Sequence, residues 1–277
     1  MPTFRGFFIN LDRNKARLES MTKQLAEVGM SDRYERFPAV DGRTLGAEYA
    51  ATLDRGALGL WLTHERLLSA NKSSDAHLHL LEDDTVLPKD AAACFADLLA
   101  QAETDCPDWD VILTEMFVDM SFSMFRLLAK WKEEYQQEGK VRLLPVKSYP
   151  SAGTTSLFIN AKSIGKYLGM IEGRWTDGAP IDLFLRGQIN RGFLNAYITV
   201  PFATTLPDNS IESDIRGGLD VSHKVVSEYR RAWFKDADLT KSAREMRRLT
   251  ATAKVSSLTE CYLEAVKFVL SDQWVQF

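Results

Sequence analysis

Seven consecutive residues, Leu78-His79-Leu80-Leu81-Glu82-Asp83-Asp84, hold the most concentrated chemistry in this sequence. An apolar run of strand length gives way at once to three carboxylates. In open α/β sheets, ligands collect at the carboxyl ends of strands. While the chain stays extended, Glu82 and Asp84 point to one side and Asp83 to the other. Adjacent carboxylates repel and resist joint ionisation. A divalent cation removes that penalty, and hard oxygen donors suit Mg²⁺ or Mn²⁺. Such ions take one or two carboxylates and complete their shell with substrate phosphates. The expectation is a cation on Glu82 and Asp84, with Asp83 on the substrate side, gripping a diphosphate. The plainer alternative is a solvated turn at a strand end, where acidic clusters are common.

Other polar residues sit where such a site would use them. Asn10 and Asp12 close the first apolar run, where a base or ribose lies in nucleotide-binding sheets. Asp12 is also placed to cap the helix that follows. Arg13 and Arg17 stand about one turn apart, and guanidinium pairs well with phosphate oxygens; a solvated helix face is the alternative. Asp41-Gly42 either contacts the nucleotide or only turns the chain. His64 lies on an otherwise apolar helix face, while His77 and His79 read as packing or partly exposed residues. Asp182, just after Pro180, is either an N-cap or a general base. Glu115 at another strand end and Asp177 in a loop compete for that role. Trp175 either stacks on a ligand ring or anchors its loop. Asp214 lies in a long polar loop able to close over a ligand. His223 reads as an exposed helix position more readily than as a metal ligand.

Elements to carry these residues follow from the apolar periodicity. Short runs over 4–10, 34–37, 77–81, 109–113, 141–146, 154–159 and 194–200 read as strands. Amphipathic stretches read as helices: one after Asp12 that stops at Gly29, then 57–71, one opened by Pro88, 121–137, 161–170 capped by Asn160, and 181–190. This alternation is the α/β pattern. Residues 203–219 read as a long polar loop of the kind that closes over ligands. Beyond Asp220 the pattern is helical, with 241–270 as one or two helices. The expected division is 1–218 for the α/β unit and 219–277 for a helical extension.

Composition narrows the function classes. The 277 residues carry 38 acidic and 34 basic side chains, a formal net charge of −4. That balance offers no basic footprint for nucleic acid. Apolar residues make up 45% of the chain, too many for disorder. No apolar run reaches the ~20 residues that span a bilayer, and the N-terminus lacks the shape of a signal peptide. Three cysteines without metal-ligand spacing suggest reduced thiols in a cytoplasmic protein.

Three separated segments together resemble the family 25 glycosyltransferases. The first is Ile9-Asn10-Leu11-Asp12-Arg13 with Arg17, continued by Arg36-Phe37-Pro38-Ala39-Val40-Asp41-Gly42. The second, Gly56 to His64, is similar to that family's Gly-x-x-Gly-x-x-x-Ser-His helix, with Thr63 in place of Ser. The third is Leu80-Leu81-Glu82-Asp83-Asp84, similar to its Glu-Asp-Asp metal site. Pro180-Ile181-Asp182 and Ser213-Asp214-Ile215 are weaker echoes. The likeness implies a GT-A-type, Rossmann-like nucleotide-sugar-binding domain, a divalent cation and inverting transfer. It also implies a pocket role for Thr63 and His64. The expected reaction moves a hexose, galactose or glucose, from a UDP-sugar to a hydroxyl of a glycan or lipid-linked saccharide. Lipopolysaccharide or surface polysaccharide assembly at the inner face of the membrane, with peripheral association, is the analogy-based setting. The competing readings are a catalytically silent nucleotide-sugar-binding protein and a metal-dependent phosphohydrolase.

Overall fold

The computed structural model describes residues 3–49, 53–118, 140–147, 151–207, 227–228 and 230–252. Along the chain come β1 (Phe4–Asn10), α1 (Lys15–Glu27), β2 (Tyr34–Pro38), α2 (Arg55–Ala70), β3 (His77–Glu82), α3 (Ala91–Asp105), β4 (Val111–Leu113) and β5 (Phe117–Val118). Then follow β6 (Arg142–Pro145), β7 (Ser151–Ala152), β8 (Ser156–Ile159), α4 (Ile164–Ile171), α5 (Ile181–Asn190), β9 (Ala196–Val200) and α6 (Leu239–Thr252).

Strand parity builds two buried faces, because successive side chains leave a strand on opposite sides. Phe7, Ile9, Leu78, Leu80, Leu157 and Ile159 join one core with α2, α4 and α5. Phe8, Leu81, Ile112 and Phe158 join the other with α1 and α3. The result is a mixed α/β architecture with helices on both faces of one sheet. Each fully buried Leu or Phe on these faces contributes roughly 1.5–3 kcal/mol. Two polar side chains that enter the core between these faces are paired. His79 accepts or donates with Tyr34 Oη and Ser156 Oγ and stacks on Phe158 at 3.7 Å between centroids. Trp61, fully buried on α2, donates its indole N–H to the Ile171 carbonyl of α4 at 3.1 Å.

The seven-stranded sheet has the order β2-β1-β3-β8-β4-β9-β6. Strands β1, β2, β3, β4 and β9 share one direction, while β8 and β6 run against them. In register, Phe7 faces Leu80 across β1 and β3, and Leu80 faces Leu157 across β3 and β8. The carboxyl ends of β1, β3 and β4 therefore lie along one edge, together with the start of β8. Strands β5 and β7 form a separate two-stranded ribbon, which the sequence pattern does not announce.

The expected helix ends need two adjustments. Pro88 does not occupy the first turn of α3. Its carbonyl accepts from Ala91 N–H at 3.1 Å, so it shapes the entry to the helix. Asn160 does cap, accepting from Lys162 N–H at 3.1 Å, but the first turn is a 3-10 turn and α4 begins only at Ile164. The helix expected over 121–137, most of the 203–219 loop with Asp214, His223, and the chain beyond Thr252 with Cys261 lie outside the described residues.

Candidate functional site

Strand β3 stops at Glu82 because the chain turns there. Thr85 N–H bonds back to the Glu82 carbonyl at 3.1 Å, and Asp83 and Asp84 occupy the centre of that turn. The backbone of β8 holds its base, with Glu82 N–H and Thr85 Oγ1 both donating to the Thr155 carbonyl at 2.8 and 3.0 Å. The turn overrides the opposite-sides expectation for the triplet. Asp83 and Asp84 instead meet one guanidinium, with Arg17 Nη1 at 3.0 Å from Asp83 Oδ1 and 3.3 Å from Asp84 Oδ2.

Asn10, 1% exposed at the end of β1, fixes the other oxygen of Asp83 by donating to it at 2.6 Å. Its own side-chain carbonyl accepts from Arg36 Nε at 3.0 Å. Arg36 also reaches Asp12, whose carboxyl it holds below the usual range by hydrogen bond and charge. Asp12 is thus a partner of Arg36 and not the expected helix cap; Asn14 precedes α1 and makes no side-chain cap. Sequence reasoning quoted Arg36 without giving it a role. Its signal is positional, since Arg36 is the register partner of Phe8, two residues before Asn10.

Facing the acidic turn is the loop from Ala39 to Thr44, pressed against α2. A Cβ on Gly42 would fall 1.6 Å from the Arg55 carbonyl oxygen, and one on Gly59 would fall 2.5 Å from that of Val40. Neither position tolerates a side chain without backbone movement. Thr63 Oγ1 then accepts from Val40 N–H at 2.8 Å and donates to the Gly59 carbonyl at 2.6 Å. Glycine and threonine on α2 therefore work as a dock for the loop. Arg13 pairs with Asp41, whose other oxygen accepts from Arg43 N–H at 3.0 Å.

Between these walls lies a cleft of about 320 Å³ at the carboxyl ends of β1 and β3. Its lining joins Glu82, Asp83 and Asp84 with Arg13, Arg17, Asp41, Gly42 and Thr63. Arg43 and Arg55, which sequence reasoning missed, line it as well. Burial, first of all, pushes the Glu82 carboxyl well above the usual range, with Asp84, Asp83 and Glu115 adding to the effect. Asp84 is raised too, by burial against the opposing pull of Arg17.

These residues fit a divalent cation in a limited way. The Glu82 carboxylate has no hydrogen bond among the described residues, and Asp84 shares Arg17 with Asp83. Asp83 is already engaged at both oxygens. No group of three or more His, Cys, Asp or Glu side chains forms a ready metal cage among the described residues. The donor set suits an ion that takes two carboxylates and draws the rest of its shell from phosphate and water.

The remaining expected residues divide into those at this edge and those elsewhere. Glu115, 1% exposed just beyond β4, takes two hydrogen bonds on Oε2 from Arg230, while its Oε1 has no partner among the described residues. Arg230, 115 residues further along the chain, had no signal in the sequence. Asp182, in the first turn of α5, accepts from Gly153 N–H at 3.0 Å and Leu183 N–H at 2.9 Å. Gly153 lies two residues before Thr155, which puts Asp182 at the same sheet edge but not on the cleft lining. Trp175 packs on Tyr49 at 5.7 Å, and Asp177 is paired with Arg174. His64 is fully buried and off the cleft lining, and neither of its ring nitrogens is hydrogen-bonded among the described residues. The expected pocket role for His64 does not match that position. Its side chain leaves α2 one residue round from Thr63, about 100° away on the helix.

Among the described residues, no helix is long and apolar enough to cross a membrane. No family model matches the sequence, and no curated protein does. Among solved structures the chain is similar to a glycosyltransferase involved in the glycosylation of the major capsid of PBCV-1. The two share 12% identity, covering 62% of this chain and 67% of that one, with a TM-score of 0.33.

Proposed function

We propose that this chain is a nucleotide-sugar-dependent glycosyltransferase of the GT-A, family 25 type, moving a hexose from a UDP-sugar to a hydroxyl of a saccharide acceptor. One observation carries the reading: an acidic turn and several arginines line the same cleft at the carboxyl ends of β1 and β3. A cleft built only for a cation would not need the guanidiniums, and one built only for an anion would not need the carboxylates. A cation–diphosphate unit calls for both.

Glu82 and Asp84 would hold Mn²⁺ or Mg²⁺. When bound, that ion neutralises charge growing on the diphosphate leaving group. Asn10 and Arg36 keep Asp83 fixed at the substrate side. Arg13, Arg17, Arg43 and Arg55 offer guanidiniums to phosphate oxygens. The 39–44 loop, locked by Gly42, Gly59 and Thr63, shapes the nucleotide side. Asp182 is the candidate base for the acceptor hydroxyl. It is half-buried and so reachable, whereas Glu115 is closed off and committed to Arg230. Attack on the face opposite the leaving diphosphate inverts the anomeric carbon. Assembly of a surface polysaccharide at a membrane face is the setting that the family likeness suggests.

A thermal-shift screen of nucleotide sugars with and without Mn²⁺, followed by UDP release with saccharide acceptors, tests the reading. A UDP-sugar should raise the melting temperature only when Mn²⁺ is present. Asp182→Asn should keep that shift and lose at least about 100-fold in turnover, the scale of general base catalysis. Phosphate release from the donor, or binding without any transfer, would replace the proposal by the hydrolase or the silent-binder alternative.

A further inference from the structure

Arg17 stands where one ligand of the proposed reaction would displace it and the other would receive it. It lines the cleft, and its side chain is 30% exposed. Its Nη1 bridges Asp83 and Asp84 at 3.0 and 3.3 Å. Asp83 does not depend on it, because Asn10 holds the second oxygen at 2.6 Å. Asp84 has no such second anchor among the side-chain contacts of the described residues. A guanidinium lying across two carboxylates does the charge-neutralising work that a cation would do there.

We propose that Arg17 is an exchangeable counter-ion, bound to the acidic turn in the ligand-free protein and transferred to the donor diphosphate when a divalent cation takes Asp84. This deepens the proposed function and rests on it. The exchange raises the charge at the turn by one, since one positive group leaves as a doubly positive one arrives, and the freed guanidinium meets the anion that the cation brings. It moves a partly exposed side chain at the first turn of α1. Asp83 stays in place throughout.

The consequence is a pair of effects of opposite sign. Without its competitor the turn binds a cation more tightly, while the diphosphate loses a partner. A residue that only supported the fold would weaken both. Cation and nucleotide should also reinforce each other's binding in the native protein, because the first releases the group that the second needs.

Titration of Mn²⁺ alone, and of UDP at saturating Mn²⁺, into the full chain and its Arg17→Gln and Arg17→Lys variants tests this. In Arg17→Gln the Mn²⁺ dissociation constant should fall by about three- to fivefold, the scale of a partly exposed ion pair. The UDP dissociation constant should rise by about tenfold or more, the scale of a charge-assisted contact. Arg17→Lys should lie between wild type and Arg17→Gln on both measures. Unchanged or weaker Mn²⁺ binding in Arg17→Gln, with an unchanged melting temperature, overturns the exchange and leaves the proposed function standing. Failure of the wild-type chain to bind either ligand overturns both.

Discussion

Single residues in this protein show how position decides what a side chain does. Asp83 and Asp84 share Arg17 because a turn at Glu82 ends the strand; an alternating pattern carries no notice of where the alternation stops. Asp12 looked like a helix cap from its place in the sequence, yet Arg36 from the neighbouring strand claims it. His64 is the clearest case of a residue whose chemistry is silenced by burial. Burial lowers its pKa to about 4. The unfolded chain binds a proton near pH 6.5 and the native chain does not. The stability it contributes is therefore complete above pH 6.5 and drains away as pH falls towards 4. By pH 5 the loss is about 2 kcal/mol from this group alone. His77 and His79, also lowered by burial, act in the same direction. Denaturant melts at pH 7 and 5 should show this acid loss in the wild type, and His64→Phe should reduce it. An equal loss in both proteins would contradict the burial argument.

At the scale of elements, the seven strands of the main sheet were largely legible because most carry their own short apolar run, buried on both faces in β3, β4 and β8. Helix α5 was readable to its ends, from Ile181 to Asn190. The direction of β8 and β6, the ribbon of β5 and β7, and the sheet order were not legible. These depend on which strands meet, and pairing across the fold leaves no local trace in the sequence. The Gly-x-x-Gly-x-x-x-Thr-His stretch was recognised as a pocket helix, and the structure supplies the physical reason for part of it. Gly59 and Thr63 lock the 39–44 loop, so the helix shapes the cleft through that loop as well as by lining it with Arg55, Gly56, Leu60 and Thr63. Thr63→Val strands the buried Val40 N–H and should cost about 1–3 kcal/mol of stability. Gly59→Ala forces the Val40 carbonyl aside. Both variants should loosen the loop, read as faster amide exchange over 39–44 with exchange in β3 unchanged. Protection in the loop equal to wild type would show that this dock is not what holds it.

The whole molecule ties its late chain into the early sheet. Phe202 N–H donates to the Trp233 carbonyl at 2.8 Å, and Lys235 N–H to the Phe202 carbonyl at 3.0 Å. Lys89 N–H reaches Asp236 at 2.7 Å, just past the acidic turn. Arg230 completes the stitch by pairing with buried Glu115, and its guanidinium lies 5.9 Å from the Phe117 ring. Arg230→Met leaves Glu115 charged and alone in the interior, a loss of about 3–5 kcal/mol. Adding Glu115→Leu removes the stranded charge, so the double variant should be more stable than Arg230→Met by urea melts. A double variant that is no better would mean the pair is not what binds the two segments. The proposed function rests on the cleft itself, with Glu82, Asp84 and Arg17 at the acidic turn, Arg13 paired to Asp41 of the 39–44 loop, and space for the proposed cation–diphosphate between them. Anomalous diffraction at the manganese edge from crystals grown with Mn²⁺ and UDP tests it most directly. A single manganese peak against Glu82 and Asp84, with the diphosphate running toward Arg13 and Arg17, is the predicted result. Manganese and nucleotide bound anywhere else, or a vacant cleft at saturating ligand, would contradict it.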